Sequence, residues 1–293
     1  MTELYSAGGS WYKGNLHMHT TDSDGVLTPD AAFLLYRKAG YDFIAITDHW
    51  VQTKNRIKDG CLILNGCEWD TGDMIRTPMF HILGIGMEAP VTLDRFRNPS
   101  PQTIINAINA AGGIAILAHP AWSVTDPADC MPLEGLSGAE IYNSISTLPW
   151  NGRRSDSSIY FDIWASGGKF IPCTAADDSH YYNGEQTRSF IMVNAGELTP
   201  EAIKTSIRSG NFYASQGPFF ESIRYNASRV QVHCSEVETV IFYSNTVWCH
   251  DRVATGGVTS ATYEIKPTDR YVRIELIDKN GNMAWSSPFP VNK

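Results

Sequence analysis

The sequence lacks three features that would each point to a particular class of protein: a membrane-length apolar run, a closely spaced cysteine pair and a surplus of positive charge. Its longest apolar runs, such as "GGIAILAH", have the length of a strand, so we expect no membrane segment. The first residues, "MTELYSAGGSWYKGN", lack the basic end and apolar core of a secretory signal. Because six cysteines are scattered without a CxxC pair, we expect buried free thiols and a cytoplasmic location.

The charge balance excludes one kind of partner. There are 23 Lys and Arg against 31 Asp and Glu, a formal net charge of −8. A protein that binds duplex nucleic acid needs a basic stripe, so we do not expect that function. A small phosphorylated substrate held by a few arginines and metal ions remains compatible with this charge.

Three segments carry the same set of helix signals. Each has a Ser or Thr at the N-cap, Pro at the first helical position, apolar residues at helical spacing and a terminal Gly. They span residues 28–40, 100–112 and 199–210. The first two lead directly into apolar runs that are typical of buried parallel strands. Alternating helices and buried strands predict an α/β domain.

The pattern changes after about residue 218. Segments such as "RVQVHCS", "TVIFYSN" and "YVRIELIDKNGN" are short, alternate in polarity and are separated by turn residues. We therefore predict a domain boundary there, with a large domain over residues 1–218 and a small all-β, sandwich-like domain over 219–293.

Histidines and carboxylates recur at the ends of the predicted buried strands. His17 and His19, two apart in an extended segment, project to the same side. Six of the eight histidines lie in the first 180 residues. A lone histidine at a strand end is usually an ordinary hydrogen-bonded residue, which is how we interpret His233 and His250. Repeated His, Asp and Glu at converging strand ends instead favour a site for Zn²⁺, Mn²⁺ or Fe²⁺.

Four motifs together resemble the PHP family, named for polymerase and histidinol phosphatase. They are "HMHTTDSDG" (17–25), "AITDH" (45–49), "AHP" (118–120) and "DDSH" (177–180). The resemblance covers roughly residues 10 to 215, and the layout with "NFYASQGP" before a β tail is similar to the CehA/McbA-like branch. It implies a distorted (β/α)7 barrel that holds two or three metal ions.

The resemblance also implies which residues hold the ions. For the first ion, it assigns His17, His19, Glu68 and Asp178. Glu68 would bridge to a second ion held by His81 and His119, and Asp24, His49 and His180 would make a third site. Asp178 and His180 are also assigned catalytic roles, whereas Asp48 and Asp177 are expected to orient neighbouring ligands.

The function that follows is a metal-dependent hydrolase that uses a metal-bridged hydroxide as nucleophile. We favour a phosphoesterase acting on a small phosphorylated metabolite or nucleotide. The alternatives are a carboxylic-ester or carbamate hydrolase and, in a different class, a non-catalytic module that keeps a metal centre. Residues predicted to bind the substrate are Arg153, Arg154, Arg188, Asn143 and Trp122.

Overall fold

The computed structural model describes residues 1–6 and 8–291. These residues contain six α-helices: α1 (Pro29–Lys38), α2 (Pro101–Ala110), α3 (Pro120–Ser123), α4 (Pro127–Cys130), α5 (Ser158–Ser166) and α6 (Pro200–Arg208). Short 3₁₀ turns occupy Arg95–Arg97, Ile145–Thr147 and Pro149–Asn151.

Seventeen strands in the described ranges account for most of the remaining regular structure. They are β1 (Thr2–Glu3), β2 (Ser10–Asn15), β3 (Phe43–Ile46), β4 (Arg56–Lys58), β5 (Cys61–Thr71), β6 (Phe80–Ile85), β7 (Ile114–Leu117), β8 (Leu136–Asn143), β9 (Cys173–Ala176), β10 (Phe190–Ala195), β11 (Phe212–Ser215), β12 (Phe220–Tyr225), β13 (Arg229–Tyr243), β14 (Val253–Glu264), β15 (Tyr271–Ile277), β16 (Met283–Trp285) and β17 (Phe289–Pro290).

The three helices predicted from the sequence are confirmed as α1, α2 and α6. Each begins with proline, and the side chains of Thr28, Ser100 and Thr199 cap them by accepting a hydrogen bond from a backbone N–H three residues later. These caps satisfy an N–H group that the helix itself leaves without a partner. Local sequence signals therefore determine where these helices begin.

The sheet that carries the histidines is mixed rather than wholly parallel. Strands β2, β3 and β5 pair in parallel, as do β7, β8 and β9. Between these two groups, β6 runs antiparallel to both β5 and β7. The prediction of an α/β protein is confirmed, and β3 and β7, the strands that follow α1 and α2, both lie in parallel pairs as expected. A reversed β6 brings its first residues to the end of the sheet where β5 finishes.

The two outer strands of this seven-stranded arrangement approach each other. A single parallel bridge joins Met18 to Ser179, just beyond β2 and β9. Next to it, the backbone N–H of Asp178 donates to the carbonyl of His17 at 2.9 Å. Within the described ranges no longer ladder joins β2 to β9. A closed (β/α)7 barrel therefore stays a prediction.

Residues 219–291 contain strands but no helix. Strands β12 to β17 pair only in antiparallel fashion, and β16 also pairs with β11. At the other end of the chain, β1 pairs with β12. Hydrogen bonds therefore cross the predicted boundary after Pro218, and the division into two domains stays a prediction.

The cysteines agree with the expectation of buried free thiols, with one exception. All six cysteines are free, and all but Cys249 are buried. Of the helices in the described part of the chain, none is long and apolar enough to cross a membrane.

Candidate metal centre

The backbone after β2 directs two histidines into a buried polar cluster. Met18 points the other way and packs in an apolar core, as expected for the middle residue of an extended HxH segment. His17 Nε2 lies 3.2 Å from Glu68 Oε2 and 3.1 Å from Asp178 Oδ1. The corresponding distances from His19 Nε2 are 3.1 and 3.2 Å. These four side chains form the innermost group of the site.

Glu68 is the centre of the cluster. Its carboxylate oxygens lie between 2.8 and 3.4 Å from ring nitrogens of five histidines, namely His17, His19, His49, His81 and His119. The carboxylate is almost fully buried, at 1% exposure. A carboxylate in this position can be shared between neighbouring cations.

Asp24 organises an outer group on the more exposed side. Its Oδ2 lies 3.5 Å from His180 Nε2 and 3.8 Å from His49 Nε2, and its Oδ1 lies 3.5 Å from His19 Nδ1. His19, Asp24, His49 and His180 form one possible metal-binding group, and His49, Glu68 and His81 form another. The three groups share His19, His49 and Glu68 and contain eight of the nine predicted ligands. The ninth, His119, has its Nε2 3.4 Å from Glu68 Oε1.

The position of Glu68 in its strand differs from the sequence-based expectation, whereas His81 lies at the start of β6 as expected. Glu68 was expected at the end of its strand, but β5 continues to Thr71 by pairing with the antiparallel β6. His81 faces Asp70 across this pair, two residues beyond Glu68. Side chains two apart on a strand share a face, so the β5–β6 pair extends the site outward.

Two further observations fit a cation-binding role. His119 and Asp178 have positive φ values of 26° and 53°, which are uncommon for residues other than glycine and often mark functional sites. Asp178 Oδ1 and His49 Nδ1 are buried without a hydrogen-bond partner among the described residues, although charged neighbours lie nearby. Oxygen and nitrogen atoms that lie close to one another without forming a hydrogen bond are better suited to binding a common cation than to pairing with each other.

The electrostatics of the protein groups alone lead to the same conclusion. Burial opposes ionisation of Glu68, but His17 and His81 outweigh it and hold its pKa well below the usual range. Burial also opposes charge on His180, yet hydrogen bonding to Asp24 and the charge of Asp178 raise its pKa to about 9. Burial dominates at His49 and lowers its pKa. The buried carboxylates thus favour positive charge, which divalent ions can supply.

Glu140 is a functional candidate that the sequence-based prediction missed. It is buried in β8, where Oε1 lies 2.8 Å from His17 Nδ1 and Oε2 accepts from the backbone N–H of His119 at 3.0 Å. Accepting the Nδ1 proton of His17 leaves its Nε2 lone pair facing the cluster. A single charged residue in the middle of the predicted strand "LSGAEIYN" was the signal that could have identified it.

A second residue that was missed, Glu185, orders the loop after the last motif. It is fully buried and accepts hydrogen bonds from four consecutive backbone N–H groups, those of residues 180 to 183. Asp48 and Asp177 act similarly on other segments: Asp48 accepts from the backbone N–H of Thr20, and Asp177 from that of Ser189. These carboxylates fix the backbone around the candidate ligands.

The predicted substrate-binding residues have different environments. Trp122 lies edge-on to His119 at 4.9 Å and lines a cavity of about 200 Å³ over the cluster, together with Ile145 and Tyr181. Asn143 is buried and does not line that cavity. It donates to Glu140 at 2.8 Å and to Asp178 at 3.1 Å, which uses both amide hydrogens. In the structure Asn143 therefore holds two carboxylates, and its contact with substrate stays a prediction.

The predicted arginines lie outside the cavities that border the cluster. Arg153, Arg154 and Arg188 are exposed, and none lines either of the two cavities next to the candidate ligands. Arg188 donates to the carbonyl of Gly184 at 3.3 Å. Instead, Arg95 lines the second cavity, of about 500 Å³. It was not identified because it lies in a short turn rather than after a predicted strand.

Comparison with known proteins places the fold among solved structures. No protein-family model and no curated protein matches the chain. A two-domain protein from Bacteroides vulgatus that contains a predicted PHP-like metal-dependent phosphoesterase matches with a TM-score of 0.54 and 15% identity, covering 97% of each chain.

Two other solved structures are similar over part of the chain. A proposed metal-dependent phosphoesterase from Bifidobacterium adolescentis has a TM-score of 0.40 and 19% identity, covering 57% of this chain and 87% of its own. An amidohydrolase from Chromobacterium violaceum, with bound sulfate and no metal, has a TM-score of 0.40 and 15% identity, covering 59% of this chain and 89% of its own. The match to the Bacteroides protein extends over nearly the full length, and it shows that this chain has the fold of a PHP-like protein.

Proposed function

We propose that this protein is a metal-dependent hydrolase of the PHP family, in its CehA/McbA-like branch, and that it hydrolyses phosphate esters. The observation that carries the proposal is the convergence of six histidines and three carboxylates, from segments far apart in the sequence, on one cluster centred on the buried Glu68, with Asp24 on its exposed side. The bridge between Met18 and Ser179 supports the closed barrel that this family implies.

The residues fit two or three divalent ions, with Zn²⁺, Mn²⁺ and Fe²⁺ all compatible with nitrogen and oxygen donors. His17, His19, Glu68 and Asp178 would hold one ion, Glu68, His81 and His119 a second, and Asp24, His49 and His180 a third. Such ions lower the pKa of a bound water and polarise the ester.

The protein residues prepare this site by fixing imidazole orientation. Glu140 holds His17 Nδ1, and the hydroxyl of Ser123 lies 3.1 Å from His119 Nδ1, so each ring presents Nε2 to the cluster. His180 donates from Nδ1 to the carbonyl of Asp178 at 2.8 Å, which aims its Nε2 at Asp24. His180 is thereby placed either to bind a cation or to move a proton at the outer side of the site.

A phosphate ester is favoured over a neutral ester because the site has an outer group of possible metal ligands, the one around Asp24, in addition to the two inner groups around Glu68. Two cations are sufficient to polarise a single carbonyl, whereas a phosphoryl group offers three oxygens whose charge a third cation can help to neutralise. The proposed partner is accordingly a small phosphorylated molecule. A cytoplasmic location remains part of the proposal.

A carboxylic-ester or carbamate hydrolase is the second candidate. One observation favours it: none of the three predicted arginines, Arg153, Arg154 and Arg188, lines a cavity next to the cluster. The cavity over the cluster is instead lined by Trp122, Ile145 and Tyr181. An apolar wall suits an uncharged acyl or aryl group.

The deciding experiment combines metal analysis with a matched substrate panel. The purified protein would be analysed for bound metal and then assayed, loaded with Mn²⁺ or Zn²⁺, on aryl phosphomonoesters, cyclic phosphodiesters, aryl acetates and aryl carbamates. We expect bound divalent metal and preferential hydrolysis of a phosphate ester. Preferential hydrolysis of the acetate or carbamate would select the second candidate. A metal-loaded protein without any turnover would favour the non-catalytic module.

A further inference from the structure

The site has two arms that differ in character. The cavity under Trp122 and the cavity beside Arg95 share Asp24, His49 and His81 as lining residues, so the two adjoin at the cluster. The first arm has aromatic and apolar walls. The second is lined by Ser23, Asp70 and Arg95 in addition to the shared residues. Of the residues that line either cavity, Arg95 is the only Lys or Arg.

Residues beside the candidate ligands hold Arg95 in position. The backbone N–H of Trp50 donates to the carbonyl of Glu68 at 2.9 Å, and its indole N–H donates to Asp70 at 2.6 Å. The Arg95 guanidinium lies 5.6 Å from the Trp50 ring centroid. Trp50 and Asp70 therefore form a platform for Arg95, and Glu68 anchors that platform to the centre of the site.

The contact between Arg95 and Asp70 leaves most of the guanidinium available. Arg95 Nη2 approaches the two Asp70 oxygens at 3.4 and 3.5 Å, which is long for a charged pair. Its side chain is 58% exposed, whereas that of Asp70 is 26% exposed. A guanidinium has five N–H donors in a planar fork, so several remain for an anion in the cavity.

We infer, on the basis of the proposed function, that Arg95 selects substrates that carry a second anionic group, separate from the ester that is cleaved. The reacting group would lie over the cluster, and a carboxylate or a second phosphate would lie in the Arg95 arm. A carboxylate and a phosphate each present two oxygens of one charged group, which a planar guanidinium can bind with two parallel hydrogen bonds. Arg95 is therefore a specificity residue rather than a catalytic one.

The test uses stable phosphonates, so that binding can be measured independently of turnover. Phenylphosphonate, 4-carboxyphenylphosphonate and benzene-1,4-diphosphonate would be titrated by calorimetry into the Mn²⁺-loaded full chain. We expect the two ligands with a second anion to bind more tightly than phenylphosphonate, and their relative affinities distinguish a carboxylate from a phosphate. In Arg95→Gln this preference should fall by about ten- to a hundredfold, the usual worth of a charged hydrogen bond.

Arg97→Gln is the matched control. Arg97 lies in the same 3₁₀ turn, is 86% exposed, pairs with Asp94 and lines neither cavity. We expect it to retain the full preference of the wild-type protein. Circular dichroism would verify that both variants are folded.

The possible failures are distinguishable. Equal binding of all three phosphonates to the wild-type protein, or no binding of any, overturns the role of Arg95. An equal loss for all three in Arg95→Gln overturns it as well, because Arg95 would then contact the reacting group. If the preference depends on Arg95 but no phosphate ester is hydrolysed in the panel, the proposed reaction fails while the anion subsite stands.

Discussion

Two buried clusters of charged side chains within residues 1–6 and 8–291 are arranged in opposite ways. In one, Arg273 of β15 is fully buried between Asp162 of α5 and Glu275. Its Nε and Nη2 donate to the two Asp162 oxygens at 3.1 and 2.9 Å, and its Nη1 donates to Glu275. The histidine–carboxylate cluster instead has Asp178 Oδ1 and His49 Nδ1 without hydrogen-bond partners within the described part of the chain.

The difference indicates how a structural charge cluster can be told from a ligand site. Arg273 is a permanent cation that matches its two carboxylates within the protein. Among the described residues, no lysine or arginine is an ion-pair partner of Glu68, and only imidazoles face its buried carboxylate. One cluster is complete without a ligand, and in the proposed function cations complete the other.

The largest expected effect is on the histidine–carboxylate cluster. The double substitution His17→Ala with His19→Ala should abolish turnover and remove bound metal while leaving the protein folded, because both side chains point into a polar cluster and contribute little apolar packing. Metal analysis, circular dichroism and the ester panel would be the measurements. Retention of metal and full turnover would show that the ligand assignment is wrong.

The second-largest expected effect is a loss of stability when the Arg273 cluster loses its cation. Replacing Arg273 with Met leaves two buried or partly buried carboxylates without their cation, so the free energy of unfolding should fall by about 3–5 kcal/mol. Urea unfolding would measure this change, and Arg229→Met, at an exposed position in β13, is the control. A loss of stability no larger than that of the control would contradict the structural role of the cluster.

Metal should stabilise the wild-type protein and not the double histidine variant. A free ion concentration of a hundred times Kd adds about 2.7 kcal/mol when only the folded state binds. Thermal unfolding with and without a chelator would therefore show a higher Tm for the metal-loaded wild type and no difference for the variant. An equal shift in both proteins would place the bound ions elsewhere.

A smaller effect is expected from Glu140→Gln, which preserves shape but weakens the contact with His17 Nδ1. Loss of such an orienting carboxylate typically reduces metal affinity or activity by about ten- to a hundredfold. Competition with a metal chelator would measure the affinity. Glu134→Gln, at an exposed position before β8, is the control. A chelator profile for Glu140→Gln that matches wild type would remove Glu140 from the set of positioning residues.

Part of the fold and most of the candidate site could be predicted from the sequence. Helix caps at Thr28, Ser100 and Thr199 are local signals, and the nine candidate ligands lie in short motifs or at identifiable strands. The reversal of β6 could not be predicted, because an apolar run looks the same in either direction. Glu140 and Arg95 were missed because their roles depend on contacts with distant residues, Glu140 with His17 and Arg95 with Trp50.

The left-handed backbone at His119 and Asp178 has a consequence for the evolution and engineering of this protein. Glycine adopts such conformations at little cost, whereas other residues lose on the order of 1–2 kcal/mol of stability there. Selection for thermal stability alone would therefore favour glycine at two positions that the proposed chemistry needs. Libraries selected for stability should accumulate inactive members at these sites, and libraries selected for turnover should retain histidine and aspartate despite the strain.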